Sequence, residues 1–182
     1  MLPIIAPARR CFLTPIPQLS TAADLLASAA DCLLVGDAAN ARQLIARADM
    51  PVIAAYTSLV TGSVNPLVHW QPAMPTVGTE FERSAQRMPP SSSERAIYVR
   101  DGWRCRYCGT RVIDRSMRTR LNRCLPDVAR WGARNIDKHA ALAARSASLD
   151  HVVPHSRGGT NDEPNLVTAC NACQFGRGQW TL

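Results

Sequence analysis

The sequence predicts an α+β protein in two parts: an N-terminal helical appendage over residues 1–90 and a cysteine-bearing domain over residues 91–182. Three observations lead there. Small apolar residues recur at helical spacing between Thr21 and Ala48, the run Met88-Pro89-Pro90-Ser91-Ser92-Ser93 reads as a linker, and two Cys-x-x-Cys knuckles, Cys105/Cys108 and Cys170/Cys173, flank an Asp-His dipeptide in the last third.

Residues 1–20 are rich in proline without a sustained period and are expected to be irregular. From there Ala23, Leu25, Leu26, Ala29, Ala30, Leu33 and Leu34 follow a helical period behind a Ser20/Thr21 cap. Gly36-Asp37 interrupts it, and Ala38, Ala41, Leu44, Ile45 and Ala48 resume it as far as Pro51. This is an α-hairpin, and with no second copy at a fixed period it must bury its face on a neighbour. It reads as a packing appendage or as a protein-interaction or DNA-positioning element. The β-branched stretches Val52-Ile53 and Ser58-Leu59-Val60-Thr61 suggest short strands before Pro66, Pro72 and Pro75. After the linker, Ser92 or Ser93 is expected to cap a helix through Glu94, Ile97 and Val99 to Asp101. Between the knuckles, an Arg-rich insertion at about residues 111–148 has its densest charge between Arg115 and Arg134. It is either a solvated face or a surface lying against a nucleic-acid backbone.

Charge separates the two parts. Up to Pro90, six Lys/Arg balance six Asp/Glu; from Ser91 onward fifteen face eight, so the net charge of +7 belongs to the knuckle-bearing half. Fourteen of those fifteen cations are Arg, whose planar fork suits bidentate phosphate contacts. A polyanionic partner, DNA or RNA, is expected. No apolar run is long enough to cross a bilayer, and Met1–Ile5 is too short and too broken by proline for a secretory signal. Seven cysteines, four of them in Cys-x-x-Cys pairs, read as metal ligands in a reducing cytoplasm rather than as a disulfide framework. Cys11, Cys32 and Cys124 remain as buried or partly buried thiols.

Two knuckles supply the four thiolates of a closed tetrahedral zinc site. Such a site has no open position for catalysis. It would tie the helix and knuckle at residues 92–109 to the element after Asn165, across the sixty-one residues between Cys108 and Cys170. Asp150 and His151 are adjacent, and neighbours in a strand point to opposite faces, so both reach one phosphate only from a strand end or distortion. Pro154 and Gly158-Gly159 supply the turn that permits it.

Together, Arg100-Asp101-Gly102-Trp103-Arg104-Cys105-Arg106-Tyr107-Cys108-Gly109, Asp150-His151, the Gly-Gly turn, Asn165-Leu166-Val167 and the second knuckle resemble the HNH nucleases, over roughly Ser92 to Gly178. The resemblance implies a ββα-metal core that hydrolyses DNA phosphodiester bonds. Its first His falls on His151, a general base suited to the attacking water, and its central Asn on Asn165, which braces the loop carrying the base. Asp150 is a hard oxygen ligand for a divalent ion such as Mg²⁺ or Mn²⁺. The last family position falls on Gln174, where Asn or His is usual; the amide oxygen is retained on a longer side chain. Arg157 and Arg177 are candidate nucleic-acid contacts, and His155 a turn residue near the site. A non-catalytic zinc-stabilised nucleic-acid-binding module, with the metal lost at Gln174, is the alternative.

Overall fold

A computed structural model of the chain describes residues 13–61 and 88–177. Its described elements are seven α-helices and a two-stranded antiparallel sheet, an α+β arrangement with the strands close to the C-terminal end. Among the described residues no helix is long and apolar enough to cross a membrane.

The first helix, α1 (Pro17–Leu34), starts four residues before Thr21, so residues 17–20, expected to be irregular, are helical. Pro17 explains the shift: its fixed φ and missing N–H suit the first helical turn, and no side chain caps the end. Gly36, at φ +82°, takes the left-handed conformation that stops the helix. Asp37 then caps α2 (Ala38–Ala48) by accepting the Asn40 N–H at 3.0 Å. Alanines bury the facing surfaces of the pair, with Ala22, Ala23, Ala29, Ala41 and Ala48 all inside.

The short strands expected after Met50 are a helix instead, α3 (Pro51–Thr61). Ile53, Tyr56, Thr57 and Val60 lie at helical spacing and are all buried, so burial of one stripe overrides the weak strand preference of Val52 and Ile53. The hydroxyls of Thr57 and Thr61 donate back to the carbonyls of Ile53 and Thr57 at 2.8 and 2.9 Å, as helical hydroxyls can. Pro66, Pro72 and Pro75 lie outside the described residues.

Beyond the linker, α4 (Ser91–Arg100) has Pro90 at its N-cap and no capping side chain, so neither Ser92 nor Ser93 has the role expected of it. After the first knuckle, Asp114 caps α5 (Arg115–Cys124) by accepting the Met117 N–H at 2.7 Å. A short α6 (Ala140–Ala144) leads into β1 (Ala147–His151), which pairs with β2 (Leu166–Cys170) so that His151 faces Leu166. Finally, α7 (Asn171–Arg177) completes a ββα unit.

The core crosses between the two halves of the chain. One cluster joins Leu19, Ile53, Tyr56 and Val60 to Cys105, Tyr107, Ala141, Val167 and Cys173. Another joins Ala29, Ala41 and Ile45 to Leu125, Ala129 and Leu142 of the insertion. Ion pairs Arg42–Asp127, Arg111–Asp24 and Arg130–Asp49 border these contacts. The α-hairpin thus buries its apolar face on the Arg-rich insertion. Under the sheet, Ile97 and Tyr98 of α4 pack on Leu149 and Leu166. The Asp101 carboxylate pins α4 to β2 by accepting the Thr168 N–H at 2.8 Å.

His139, to which the sequence assigned no role, is fully buried where hairpin and insertion meet. Its Nε2 lies 2.9 Å from the Ile45 carbonyl, to which it donates, while Nδ1 accepts the Leu142 N–H at 3.3 Å and caps α6. Both nitrogens are satisfied by the neutral ring. Burial holds its pKa below the ordinary 6.5, against the opposing pull of the Ile45 carbonyl and Asp49. As pH falls through about 6.5 the unfolded chain therefore takes up a proton at this position before the folded one does, and stability falls with it. We expect His139→Gln to show a smaller loss of stability than wild type between neutral and mildly acidic pH, measured by denaturant midpoint at equal zinc content. Parallel pH profiles for the two proteins would contradict this.

Candidate metal centre and hydrolytic site

Cys105 and Cys108 come from the first knuckle, Cys170 from the last position of β2 and Cys173 from the first turn of α7. Their sulfurs all lie within 4.8 Å of one another. The Cys108–Cys170 sulfur separation of 3.7 Å matches the edge of a tetrahedron built on Zn–S bonds of roughly 2.3 Å, about 3.8 Å. Gly109, at φ +74°, turns the chain back so that its N–H bonds the Cys105 carbonyl at 2.8 Å, closing the knuckle. The Cys105 and Cys170 thiols bonded to Cys108 lower its pKa, whereas bonding to Cys105 raises that of Cys170. Four such groups share negative charge poorly without a cation. The cluster can hold a metal such as zinc, and four protein ligands would leave it closed.

The same two supports carry side chains to the far end of β1. Tyr107 lies inside the knuckle, and Arg177 lies one turn beyond Cys173. The Tyr107 hydroxyl donates to Asp150 Oδ2 at 2.7 Å, and Arg177 Nη1 donates to the same oxygen at 2.7 Å. Burial, followed by the Asp150 charge, pushes the Tyr107 phenol above its ordinary value, which keeps the hydroxyl a donor. Neither bond uses Oδ1 of Asp150.

Arg177, read from the sequence as a phosphate contact, is 1% exposed. Its guanidinium also donates to the carbonyls of His151 and Val152, at 2.6 and 2.7 Å. It therefore grips the strand end from the protein side. Arg157 sits half-buried in the turn His155–Arg157, and its guanidinium makes no hydrogen bond or ion pair with a described residue.

His151 closes β1, so Asp150 and His151 occupy a strand end. Its ring is 7% exposed and its Nε2 stands 2.9 Å from Asn161 Oδ1. An amide oxygen only accepts, so this bond assigns the proton to Nε2 and leaves Nδ1 as the basic nitrogen. Asn161 was missed in the sequence reading; its only signal was an Asn following the Gly-Gly turn. The His155 ring lies edge-on, 5.8 Å from that of His151.

Asn165 spans the loop between these residues. Its Oδ1 accepts the Val153 N–H at 2.7 Å, and its Nδ2 donates to the Thr160 carbonyl at 2.8 Å and the Val153 carbonyl at 3.2 Å. Gly159 permits the closure, since a Cβ there would stand 1.8 Å from the Val153 carbonyl oxygen. Gln174 is half-buried, with Oε1 accepting from Ser148 Oγ at 2.6 Å and Nε2 donating to the Leu149 carbonyl at 3.4 Å. Its amide is thus held along β1 just before Asp150. Of the remaining thiols, Cys32 is half-buried and Cys124 exposed, the latter against expectation; Cys11 lies outside the described residues.

Residues 134–174 match the family model described as HNH endonuclease. No curated protein and no solved structure matches the chain. The resemblance is thereby shown over a segment that includes Asp150, His151, Asn161, Asn165, Cys170, Cys173 and Gln174. Tyr107, Arg177 and the first knuckle lie outside it.

For the thiol cluster, we expect protein purified without chelator to carry one zinc per chain. Because ligand binding is coupled to folding, Cys173→Ser should lose the metal and unfold at a lower temperature. A zinc-free wild type, or a Cys173→Ser protein as stable as wild type, would contradict the assignment.

Proposed function

We propose that the protein is a metal-dependent endonuclease that hydrolyses DNA phosphodiester bonds with His151 as general base. The observation that carries this reading is the strand end itself. Asp150 and His151 sit side by side at the close of β1, and Asn161 fixes the ring, all within the segment matching HNH endonucleases, while Tyr107 and Arg177 from the flanking chain fix the carboxylate. Nδ1 of His151 is then the atom that takes the proton of the attacking water, and the Asn161 bond keeps the ring in the tautomer that allows it. Asn165 holds the loop from Val153 to Thr160 in place, which limits where a phosphate can approach His151. Arg157, unpaired among the described residues, is the candidate phosphate contact.

The donor set fits a hard divalent ion, Mg²⁺ or Mn²⁺, with Asp150 Oδ1 and the Gln174 amide oxygen as the protein ligands. Such an ion supplies charge stabilisation at the phosphate and leaving oxygen. The closed thiol cluster serves structure, with zinc as its metal. The chemistry belongs to residues 91–182, with the helices of residues 1–90 as support, and the paired thiols suit a reducing cytoplasm.

A second reading, a non-catalytic nucleic-acid-binding module, draws on Gln174, whose amide already bonds Ser148 and Leu149. Plasmid cleavage across Mg²⁺ and Mn²⁺, with chelator controls, separates the two: binding without cleavage selects the module. For the enzyme, His151→Ala should keep zinc, fold and DNA affinity while cleavage falls by roughly 10²–10⁴-fold. Gln174→Ala should raise the ion concentration needed for half-maximal cleavage, and Gln174→Asn or Gln174→His should preserve it. Wild-type cleavage by His151→Ala would remove the base, and unchanged ion dependence in Gln174→Ala would remove that ligand.

A further inference from the structure

The basic excess of the C-terminal half is divided by the fold into arginines with partners and arginines without. Arg118 turns inward to stack on Trp131, with its guanidinium carbon 3.8 Å from the ring centre, and bonds Ser146 Oγ at 2.8 Å. Arg130 pairs with Asp49, and Arg134 with Asp137. Arg115, Arg120 and Arg123 make no ion pair or hydrogen bond with a described residue and are exposed on α5. They line a groove of about 540 Å³ between α5 and α4, together with Arg95, whose side chain is 72% exposed.

Two acids also line the groove, and both are engaged. Glu94 accepts the Tyr98 hydroxyl, and Asp114 caps α5 through the Met117 N–H and Ser116 Oγ, at 2.7 and 2.8 Å. Asp114 reaches Arg95 only at 3.9 Å. Four guanidinia therefore share the groove with two carboxylates, of which only Asp114, through Oδ2, lies within ion-pair distance of one of them, Arg95. Half-buried Trp103 forms an aromatic wall, backed by the buried Tyr98 ring with centres 5.4 Å apart. Trp103 adopts φ 55°, a conformation uncommon for a bulky residue. It is held there between the Tyr98 carbonyl, which accepts its N–H at 2.8 Å, and the Val112 N–H, which donates to its own carbonyl at 2.9 Å.

We propose that this groove binds the phosphate backbone of a nucleic-acid strand, at a site separate from the strand end carrying His151. Arg115 and Arg123, eight residues apart on one helix, span about 12 Å at 1.5 Å per residue, room for more than one phosphate. Arginine forks suit phosphate oxygens, and an aromatic wall beside them offers a stacking surface to an unpaired base. None of the groove's cations lies in the matched residues 134–174, so this surface is an addition to the HNH-like segment. The proposal rests on the nucleic-acid part of the function above, not on cleavage.

Binding is measured with full-length, zinc-loaded His151→Ala protein and no added divalent ion, so loss of cleavage cannot enter the result. The probes are a short DNA duplex and, separately, its single strand, each titrated across a salt series. Adding Arg115→Gln and Arg123→Gln should weaken binding and reduce the slope of log affinity against log salt by about 0.9 per contact for duplex or 0.7 for single strand. Arg115→Lys with Arg123→Lys should retain most of the slope. Removing two exposed arginines elsewhere, Arg47→Gln with Arg134→Gln, should leave it unchanged. Equal loss in the groove and control variants would overturn the proposal. So would failure to bind either form of DNA, including the case where a poly-glutamate peptide binds instead, which would assign the groove to an acidic protein segment.

Discussion

The four-thiol cluster is the constraint on which the rest of the C-terminal half depends. It joins the knuckle at Cys105–Cys108 to the junction of β2 and α7, two parts of the chain that no long apolar element connects. Tyr107 is carried by one side of that joint and Arg177 by the other, and both reach Oδ2 of Asp150 at 2.7 Å. The position of the strand end therefore follows from the geometry of the cluster. Since Tyr107 and Arg177 both fall outside residues 134–174, the HNH-like segment receives its support from flanking chain.

Arg177 also gives Asp150 a structural role beside its proposed one. A guanidinium 1% exposed needs a carboxylate partner, and breaking one side of a buried pair typically costs about 3–5 kcal/mol. Asp150 supplies that partner through Oδ2, and neither of these bonds uses Oδ1, the oxygen proposed as an ion ligand. The two carbonyls gripped by Arg177, from His151 and Val152, lie where the chain leaves β1 and enters the loop closed by Asn165. Structural pairing and the proposed chemistry thus share a single carboxylate, and substitution of Asp150 would disturb both.

Much of this was legible in the residues. The α-hairpin declared itself through apolar spacing and Gly36-Asp37, because periodicity and turn chemistry are local. The knuckles and the adjacency of Asp150 and His151 specified a four-thiol cluster and a strand end for the same reason. What escaped was set by tertiary burial. Val52, Ile53 and Val60 look strand-forming until the core stripe of α3 is known, and Pro17 begins a helix that its proline-rich surroundings conceal. Arg177 read as a nucleic-acid contact because nothing local indicates that Asp150, twenty-seven positions earlier, is its partner. Asn161 had no signal beyond its turn, since its partner is chosen by how the loop closes.

The most direct test of the account is the cleavage rate of Tyr107→Phe at a verified content of one zinc per chain. This change removes only the hydroxyl that ties the knuckle to Asp150 and keeps the ring that packs in the core. A hydrogen bond to a charged group contributes about 1.5–3 kcal/mol to stability, so Tyr107→Phe is predicted to keep its zinc, to unfold at a temperature lower by several degrees, and to cleave at least roughly tenfold more slowly once the carboxylate is released. Cleavage at the wild-type rate in zinc-loaded Tyr107→Phe would contradict the claim that the metal cluster positions the hydrolytic strand end.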